Sequence, residues 1–185
     1  MRLRKAGLTM TSETTVQARL EQVERHVTLE NLHDLDAVMD TFGADAAYDD
    51  EPWDEHPRGR DAVRRHYEDL LGAVPDLHID VQSRYAAGDV VVLECEITGT
   101  HGGPWHGLPA TGRPVKLPLC AIYTFTDDGA TLAGERIYYD RATALEQLGV
   151  FHDPESTLGR VLTAITHPVS MGRVAIRMAR GDRAG

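Results

Sequence analysis

The sequence predicts an α+β fold, in which N-terminal helices pack on a curved antiparallel sheet. Apolar residues recur at helical spacing up to Pro75, whereas apolar and polar residues alternate in several strands after it. Because the helices and most strands occupy separate parts of the chain, the pattern is typical of α+β rather than α/β proteins. A curved sheet covered by helices is expected to form a cone with a pocket between the two layers.

Three helices are predicted in the N-terminal part, after a flexible arm formed by residues 1–12. In the first helix the apolar residues lie four, three and four positions apart, namely Val16, Leu20, Val23 and Val27. "HDLDAVMDTF" predicts a second, short helix, and "GADAAYDDEPW" an extended segment that turns at Pro52. "GRDAVRRHYEDLLGAVPD" predicts a third helix, which Gly72 and Pro75 end.

Four antiparallel strands joined as a meander are predicted next. Their segments are "LHIDVQSRY", "DVVVLECEITGT", "RPVKLPLCAIYTFT" and "ATLAGERIYYD". The last two are joined by a turn at Asp127, Asp128 and Gly129, which are favoured turn residues. A helix follows Asp140, and residues 152–185 are predicted to form a helical C-terminal extension.

Composition excludes several classes of protein. The net charge of −10 argues against a nucleic-acid partner, which would need a basic surface. No apolar run approaches the ~20 residues of a membrane span, and the N-terminus does not resemble a signal peptide, so a cytoplasmic protein is expected.

The two cysteines, Cys95 and Cys120, lie in sequence segments that are predicted to be strands. Two buried free thiols are expected there, and one disulfide is the alternative.

The extension differs in charge from the rest of the chain, since residues 156–185 contain five arginines and one aspartate. It carries a narrow apolar stripe (Leu158, Val161, Leu162, Ile165) and a weaker one (Val169, Val174, Met178). Short helices are marginal alone in water. We therefore expect two helices packed on the acidic body or bridging to a partner subunit, with a peripheral membrane contact as the competing interpretation.

Three segments resemble a known family: "GTHGGPWHGLPATGRPV" at 99–115, "IYYDRATALEQLGV" at 137–150 and, less sharply, "RGRDAVRRHYEDLLGAVPDLHIDV". Residues 15–150 are similar to the SnoaL-like polyketide cyclases of the nuclear-transport-factor-2-like superfamily, with the domain itself placed at residues 13–151. Ala110 departs from the family pattern, which has proline there. The C-terminal extension is a second departure.

The resemblance implies a cofactor-independent acid/base enzyme acting on a small, hydrophobic, carbonyl-containing substrate, with aldol-type ring closure as the reaction. The same superfamily contains epoxide hydrolases, isomerases, dehydratases and modules that only bind apolar ligands or dimerise. A shared fold does not select among these functions, so they stay open as alternatives.

Asp140 has two interpretations. The resemblance implies that it is the catalytic acid/base, and strand alternation places Arg136, Tyr138 and Asp140 on one face of the last strand. If that face lines an apolar cavity, burial would raise the pKa of the carboxyl towards neutral pH. Alternatively, Asp140 caps the following helix, which would lower its pKa and make it a poor base.

Two histidines flank "GGPW", and either could donate a hydrogen bond to a substrate carbonyl or brace the loop. His101 and His106, even with His56 added, lack the further ligands of a local metal set, so no metal and no cofactor is expected.

Further candidates would line the cavity and bind substrate: Trp53, His56, Trp105, Tyr123, Tyr138 and Arg136. Tyr123 and Tyr138 could donate to an oxyanion. Arg136 would either lower the pKa of the aspartate or anchor substrate. Epoxide hydrolases of the superfamily use an Asp-Arg-Asp arrangement. The position of Arg136 therefore discriminates between epoxide hydrolysis and the other reactions of the superfamily. Glu51 or Asp54 could supply a second carboxylate.

The outer face of the sheet is expected to be polar and of mixed charge, and its residues are His78, Asp80, Gln82, Glu94 and Glu96. Such a face can pair with itself across a two-fold axis. A homodimer is therefore predicted.

Overall fold

The computed structural model describes residues 4–152 and 155–166. Its helices are α1 (Arg4–Asn31), α2 (Leu35–Asp40), α3 (Arg60–Ala73), α4 (Arg141–Gln147) and α5 (Thr157–Thr166). Its strands are β1 (Phe42–Asp50), β2 (His78–Ala87), β3 (Val90–Thr100), β4 (Pro114–Phe125) and β5 (Leu132–Tyr139), and Glu51–Trp53 form a 3-10 turn. The order of the elements confirms the α+β class.

The five strands form one sheet in the order β1-β5-β4-β3-β2. Strands β2 to β5 are antiparallel neighbours, which confirms the predicted meander. Strand β1 pairs in parallel with β5, with an irregularity between Phe42 and Ala47. This pairing places Asp50, the last residue of β1, opposite Ile137 of β5.

The main core lies between one face of the sheet and the helices α1, α2 and α3. Val23 and Val27 of α1 and Val63 and Tyr67 of α3 are buried in this cluster. Burial of such side chains is the main stabilising contribution to the fold. The same layer arrangement creates the space in which the candidate site lies.

The predicted flexible arm is wrong for residues 4–12, because α1 begins at Arg4. No proline precedes Pro52, so nothing in the sequence forces a break in the backbone before the apolar periodicity begins. Residues 1–3 lie outside the described residues.

The first helix predicted in the extension is present as α5. Its apolar stripe is not covered by the body, since Leu158, Val161 and Ile165 are 57%, 51% and 67% exposed. Packing of this stripe on the body was therefore a wrong expectation, because α1 and α3 already cover the apolar face of the sheet. Bridging to a partner subunit stays a prediction. The second stripe (Val169, Val174, Met178) lies outside the described residues.

The two cysteines are free, as expected. Cys95 is opposite Leu119 on the neighbouring strand, while Cys120 is opposite Glu94. Since successive side chains of a strand point to opposite faces, the two thiols are on opposite sides of the sheet and cannot form a disulfide.

The outer face of the sheet is polar, and His78, Asp80, Gln82 and Glu94 are exposed on it. The homodimer stays a prediction, which light scattering at micromolar concentration would check. Across residues 4–152 and 155–166, no helix combines the length and the apolar character needed to cross a membrane.

Candidate active site

A cavity of about 80 Å³ lies between the sheet and the helices. A single water needs roughly 15 Å³ of cavity volume, so this cavity can hold several waters or part of a ligand. Its wall is mainly apolar, and it includes a small set of polar side chains: Glu30, Tyr48, Asp50, Tyr67, His101, Tyr123, Glu135 and Tyr139. An apolar cavity with few polar groups is typical of a small-molecule site.

Asp50 is the buried carboxylate with the properties of an acid/base group. It is 3% exposed, and its Oδ1 has no hydrogen-bond partner in the described part of the chain. Burial raises the pKa of the Asp50 carboxyl to about 7, and the negative charge of Glu55 adds to the rise. A carboxyl with such a pKa can both take up and release a proton at neutral pH.

Asp50 also borders a second, more polar space of about 250 Å³, here called the outer pocket. The outer pocket is lined by Asp50, Glu55, His66, Asp69, Leu70, Pro104, Trp105, His106 and Gly107. Asp50, Leu70 and Trp105 line both spaces. Asp50 therefore lies at the boundary between the apolar cavity and the outer pocket.

His101 lines the cavity and is fully buried. The backbone N–H of Thr111 donates to its Nδ1 at 3.3 Å, and the Thr111 hydroxyl lies 3.0 Å from the same atom. With Nδ1 as the acceptor of both, the neutral ring carries its proton on Nε2. Burial lowers the pKa of His101 and keeps this neutral form at neutral pH. Its Nε2 has no partner among the described residues, so an N–H donor is available to a ligand.

A buried network surrounds Glu135 of β5. Tyr67 donates to Glu135 Oε2 at 2.7 Å, and Tyr123 donates to Oε1 at 3.1 Å. His26 Nε2 lies 3.4 Å from Glu135 Oε2 and 3.5 Å from Glu30 Oε1. Burial disfavours a charge on His26, but Glu30 and Glu135 outweigh it and raise the pKa of the imidazole to about 10.

Tyr123 lines the cavity as predicted, but it does not supply a free donor for an oxyanion. Its hydroxyl proton is used in the bond to Glu135. Burial, followed by the negative charges of Glu135 and Glu30, raises the pKa of Tyr123 well above its ordinary value. Tyr123 is therefore a neutral wall residue that holds Glu135.

Asp140 is exposed, so its predicted place in the cavity is wrong. It is the N-cap of α4: one carboxylate oxygen accepts from Ala142 N at 2.8 Å and the other from Thr143 Oγ1 at 2.7 Å. These hydrogen bonds lower the pKa of Asp140. The capping interpretation is thus the one that the geometry supports.

Arg136 and Tyr138 share the outward face of β5 with Asp140, so their predicted roles in the cavity are also wrong. The inward face carries Glu135, Ile137 and Tyr139. Arg136 instead contacts Asp49 and Glu51, at 3.2 Å in each case. Tyr138 is 43% exposed.

His56 does not line the cavity either. Its Nδ1 lies 2.8 Å from Asp49 Oδ1 and its Nε2 lies 3.2 Å from Asp54 Oδ1, on the outside of the sheet. Glu51 and Asp54, the proposed second carboxylates, are therefore on this outer side as well.

The mouth of the cavity is aromatic. Trp105 lines the cavity, whereas Trp53 and His106 stack on each other outside it with ring centroids 3.9 Å apart. Trp53 Nε1 donates to the Tyr139 hydroxyl at 2.6 Å, which ties this stack to β5. The expectation that Trp53 and His106 line the cavity itself is corrected: His106 borders the outer pocket.

Two groups of side chains in the described residues have the geometry of metal ligands. They are His26, Glu30 and Glu135, and Asp49, Glu51 and His56. Neither contains His101 or His106. The histidines considered from the sequence are thus not brought together.

Sequence reasoning missed Asp50, Glu30, His26 and Glu135. A usable signal existed for Asp50, because Ala46, Tyr48 and Asp50 alternate along one strand. His26 and Glu30 are four residues apart, next to the apolar face of α1. Glu135 gave a misleading signal, since a charged strand residue is normally taken to face solvent.

The chain was compared with protein families and with solved structures. The model of the SnoaL-like polyketide cyclases matches residues 20–148. No functionally curated protein matches the chain.

Many solved structures are similar. AclR, a candidate hydroxylase from Streptomyces galilaeus, is 25% identical with a TM-score of 0.64, over 74% of this chain and 99% of AclR. IdmH, a candidate polyketide cyclase from Streptomyces antibioticus, is 25% identical with a TM-score of 0.59, over 71% and 99% of the two chains. A protein of ketosteroid isomerase-like fold from Catenulispora acidiphila is 21% identical with a TM-score of 0.60, over 70% and 93%, and shows similarity of fold.

Proposed function

Because the chain belongs to the SnoaL-like polyketide cyclase family, we propose that its cavity performs acid/base catalysis on a hydrophobic carbonyl compound. Asp50 removes a proton from the carbon next to the carbonyl, and the Nε2–H of His101 donates to the oxygen on which negative charge develops. The enolate carbon then attacks a second carbonyl of the same molecule and closes a ring. The proton held by Asp50 returns to the new alkoxide, so the step needs no other reactant.

The buried carboxyl of Asp50, whose Oδ1 has no hydrogen-bond partner among the described residues, is the observation that carries this proposal. A carboxylate oxygen left without a hydrogen bond in an apolar wall costs stability, which a purely structural residue would not require. A pKa near the working pH favours proton transfer in both directions. General acid/base groups of this kind typically contribute about 10²- to 10⁴-fold to a rate.

His101 supplies the matching electrophilic group. A neutral imidazole with a free N–H can stabilise an enolate oxygen without losing its own proton. Inside a cavity of low dielectric constant, such a preorganised donor is worth more than it would be in water. The same logic operates in ketosteroid isomerase, in which a base and an oxyanion donor share one apolar site.

The apolar wall supports a hydrophobic substrate. Leu117, Leu119 and Ile137 from the sheet face Leu70, Leu71 and Val74 from the helical layer and the segment behind it. The position of Arg136 argues against the Asp-Arg-Asp chemistry of an epoxide hydrolase, because this arginine pairs with Asp49 and Glu51 outside the cavity. An isomerase would share the first proton abstraction and differ in where the proton returns.

Proton exchange in deuterated water tests the proposal without knowledge of the natural substrate. A panel of aryl ketones and aromatic β-keto esters is incubated with the protein, and loss of the α-proton signal is followed by NMR. Because Asp50 must be ionised to act as base, the enzymatic exchange rate should rise with pH through its pKa of about 7 and then level off.

Measuring the binding of the same compounds distinguishes an enzyme from a module that only binds apolar ligands. Binding of the same compounds with no exchange above buffer would identify a module that only sequesters apolar ligands. An enzymatic rate that shows no inflection from about pH 5 to about pH 9 would remove Asp50 from the role of base.

A further inference from the structure

The group formed by His26, Glu30 and Glu135, here called the buried triad, has no place in the acid/base step. All three side chains are buried, with 0%, 7% and 5% exposure. Their ligand atoms, one from each residue, lie within 4.8 Å of one another. Glu30 and Glu135 also line the apolar cavity, so the triad can be reached from it.

We propose that the buried triad binds a divalent first-row transition-metal ion, for which Zn²⁺, Mn²⁺ and Co²⁺ are suitable probes. This inference goes beyond the proposed function and does not depend on Asp50. It departs from the expectation that the chain holds no metal, which concerned His56, His101 and His106.

The two distances from His26 to the carboxylates fit ligands of a shared metal ion better than ion-pair hydrogen bonds. His26 Nε2 is 3.5 Å from Glu30 Oε1 and 3.4 Å from Glu135 Oε2, and it also lies 3.3 Å from the Tyr67 hydroxyl. The ligand atoms of Glu30 and Glu135 lie within 4.8 Å of each other. Hydrogen bonds between an imidazolium and a carboxylate are shorter, at about 2.7–2.9 Å. Ligand atoms at roughly 2.1 Å from one ion lie about 3.0 Å apart at octahedral angles and about 3.4 Å apart at tetrahedral angles.

The other nitrogen of His26 is held as a ligand histidine requires. The Thr41 hydroxyl donates to Val38 O at 2.6 Å, so at its 2.7 Å contact with His26 Nδ1 it must accept the ring proton. Nδ1 therefore carries hydrogen, and Nε2 is the atom that binds either a proton or a metal. Metal-bound histidines almost always donate their second N–H in this way.

Glu135 is also oriented by other residues. The hydroxyls of Tyr67 and Tyr123 each donate to one of its oxygens. Each carboxylate oxygen has a further lone pair, so these bonds fix the carboxylate and still leave it able to bind an ion. Hydrogen bonds of this type are common around ligating carboxylates.

Charge gives an independent argument. No lysine or arginine in residues 4–152 and 155–166 forms an ion pair with Glu30 or Glu135. Glu30 Oε2 is buried without a hydrogen-bond partner in the same residues. Two buried carboxylates with one histidine are thus undercompensated, whereas a divalent ion bound to a neutral histidine would balance both negative charges.

The donor set indicates which ions fit. One imidazole nitrogen with two carboxylates suits Zn²⁺, Mn²⁺ or Fe²⁺, while Mg²⁺ prefers oxygen ligands and retains its water. We therefore expect Mg²⁺ to bind much more weakly than the transition metals.

The test uses the full chain, stripped with a chelator and titrated with Zn²⁺, Mn²⁺ or Mg²⁺ by calorimetry. Co²⁺ is followed through its visible d–d bands, which report the ligand geometry directly. Wild-type protein should bind one Zn²⁺ or Co²⁺ per chain and gain thermal stability. Glu30→Gln and Glu135→Gln, which keep the side-chain shape, should each weaken binding by 10-fold or more, and Thr41→Val by about 10-fold through the orientation of His26.

The second ligand group provides the control. His56→Gln alters the group formed with Asp49 and Glu51 outside the cavity and should leave binding and the Co²⁺ spectrum unchanged. Asp50→Asn should also leave them unchanged, so failure of the proposed function would not affect this result. Absence of one-to-one binding by wild type, unchanged affinity in both Gln variants, or loss confined to His56→Gln would each overturn the site.

Discussion

Replacing Asp50 by asparagine should lower the enzymatic exchange rate by about 10²- to 10⁴-fold, because asparagine cannot accept the α-proton. The side chain keeps its size, so ligand binding should change little. Kinetics of deuterium incorporation at saturating ligand would measure the loss. The effect should appear in kcat rather than in KM, since a proton-transfer group acts in the transition state.

Asp140→Asn is the matched control, since it makes the same chemical change at an exposed site. Asparagine is also a good N-cap, so helix α4 should persist and exchange should stay at the wild-type rate. If Asp140→Asn lost activity and Asp50→Asn kept it, the assignment of the base would be reversed.

The Asp50 variant should also change the pH dependence of stability. The folded pKa of Asp50 is about 7, above the ordinary value of 3.8. A raised folded pKa means that the carboxyl contributes stability below the unfolded pKa and loses it as pH rises to about 7. Asparagine stays neutral, so between about pH 4 and pH 8 the free energy of unfolding should shift in favour of the variant by about 1–4 kcal/mol. Urea denaturation of both proteins at the two pH values would show it, and a constant difference would argue against the raised pKa.

Gly103→Ala should destabilise the fold and displace the loop that carries His101. A Cβ at Gly103 would lie 2.0 Å from the carbonyl oxygen of Gly72, at the end of α3. The amides of Gly102 and Gly103 both donate to Ala73 O, at 2.9 and 3.1 Å, so the loop cannot retreat without losing these bonds. We expect a loss of about 1–3 kcal/mol. For a chain of this size, Tm should fall by roughly 2–10 °C.

Gly72→Ala is the control on the other side of the same contact. A Cβ there meets nothing within 4 Å, and alanine favours the helix. Its Tm should stay the same or rise. Because the loop positions His101, Gly103→Ala should also reduce exchange, and a variant with wild-type Tm would show that the close approach is not a constraint.

The sequence predicted the elements well, since the periodicities of helix and strand differ clearly. In β5 it also grouped Arg136, Tyr138 and Asp140 correctly on one face. Which face points inward is decided by the residues that meet Glu135, namely His26 and Tyr67 from two separate helices. Alternation has no information about such partners, so the candidate roles were given to the face of Arg136, and Glu135 on the other face was not considered.

Asp50, the carboxylate proposed as the base, was missed for a related reason. Asp49, Asp50 and Glu51 are adjacent acids in the sequence, but only Asp50 lines the cavity. Asp49 is satisfied by Arg58, His56 and Arg136. The parallel pairing of β1 with β5 creates this difference, and parallel pairing depends on contacts far apart in the chain. His101 was found because a Gly-rich loop with two histidines is itself an unusual local pattern.

The place of Asp50 between the cavity and the outer pocket has a consequence for the fate of the abstracted hydrogen. One side of the carboxyl meets the bound compound, and the other side meets a polar space lined by Glu55, His66 and Asp69. Acidic and imidazole groups there can exchange the hydrogen held by Asp50 with bulk water, so the hydrogen that returns to the substrate need not be the one that left it. A ketone that binds but cannot cyclise, with tritium at its α-carbon, should therefore release the label into the solvent instead of recovering it at the same carbon.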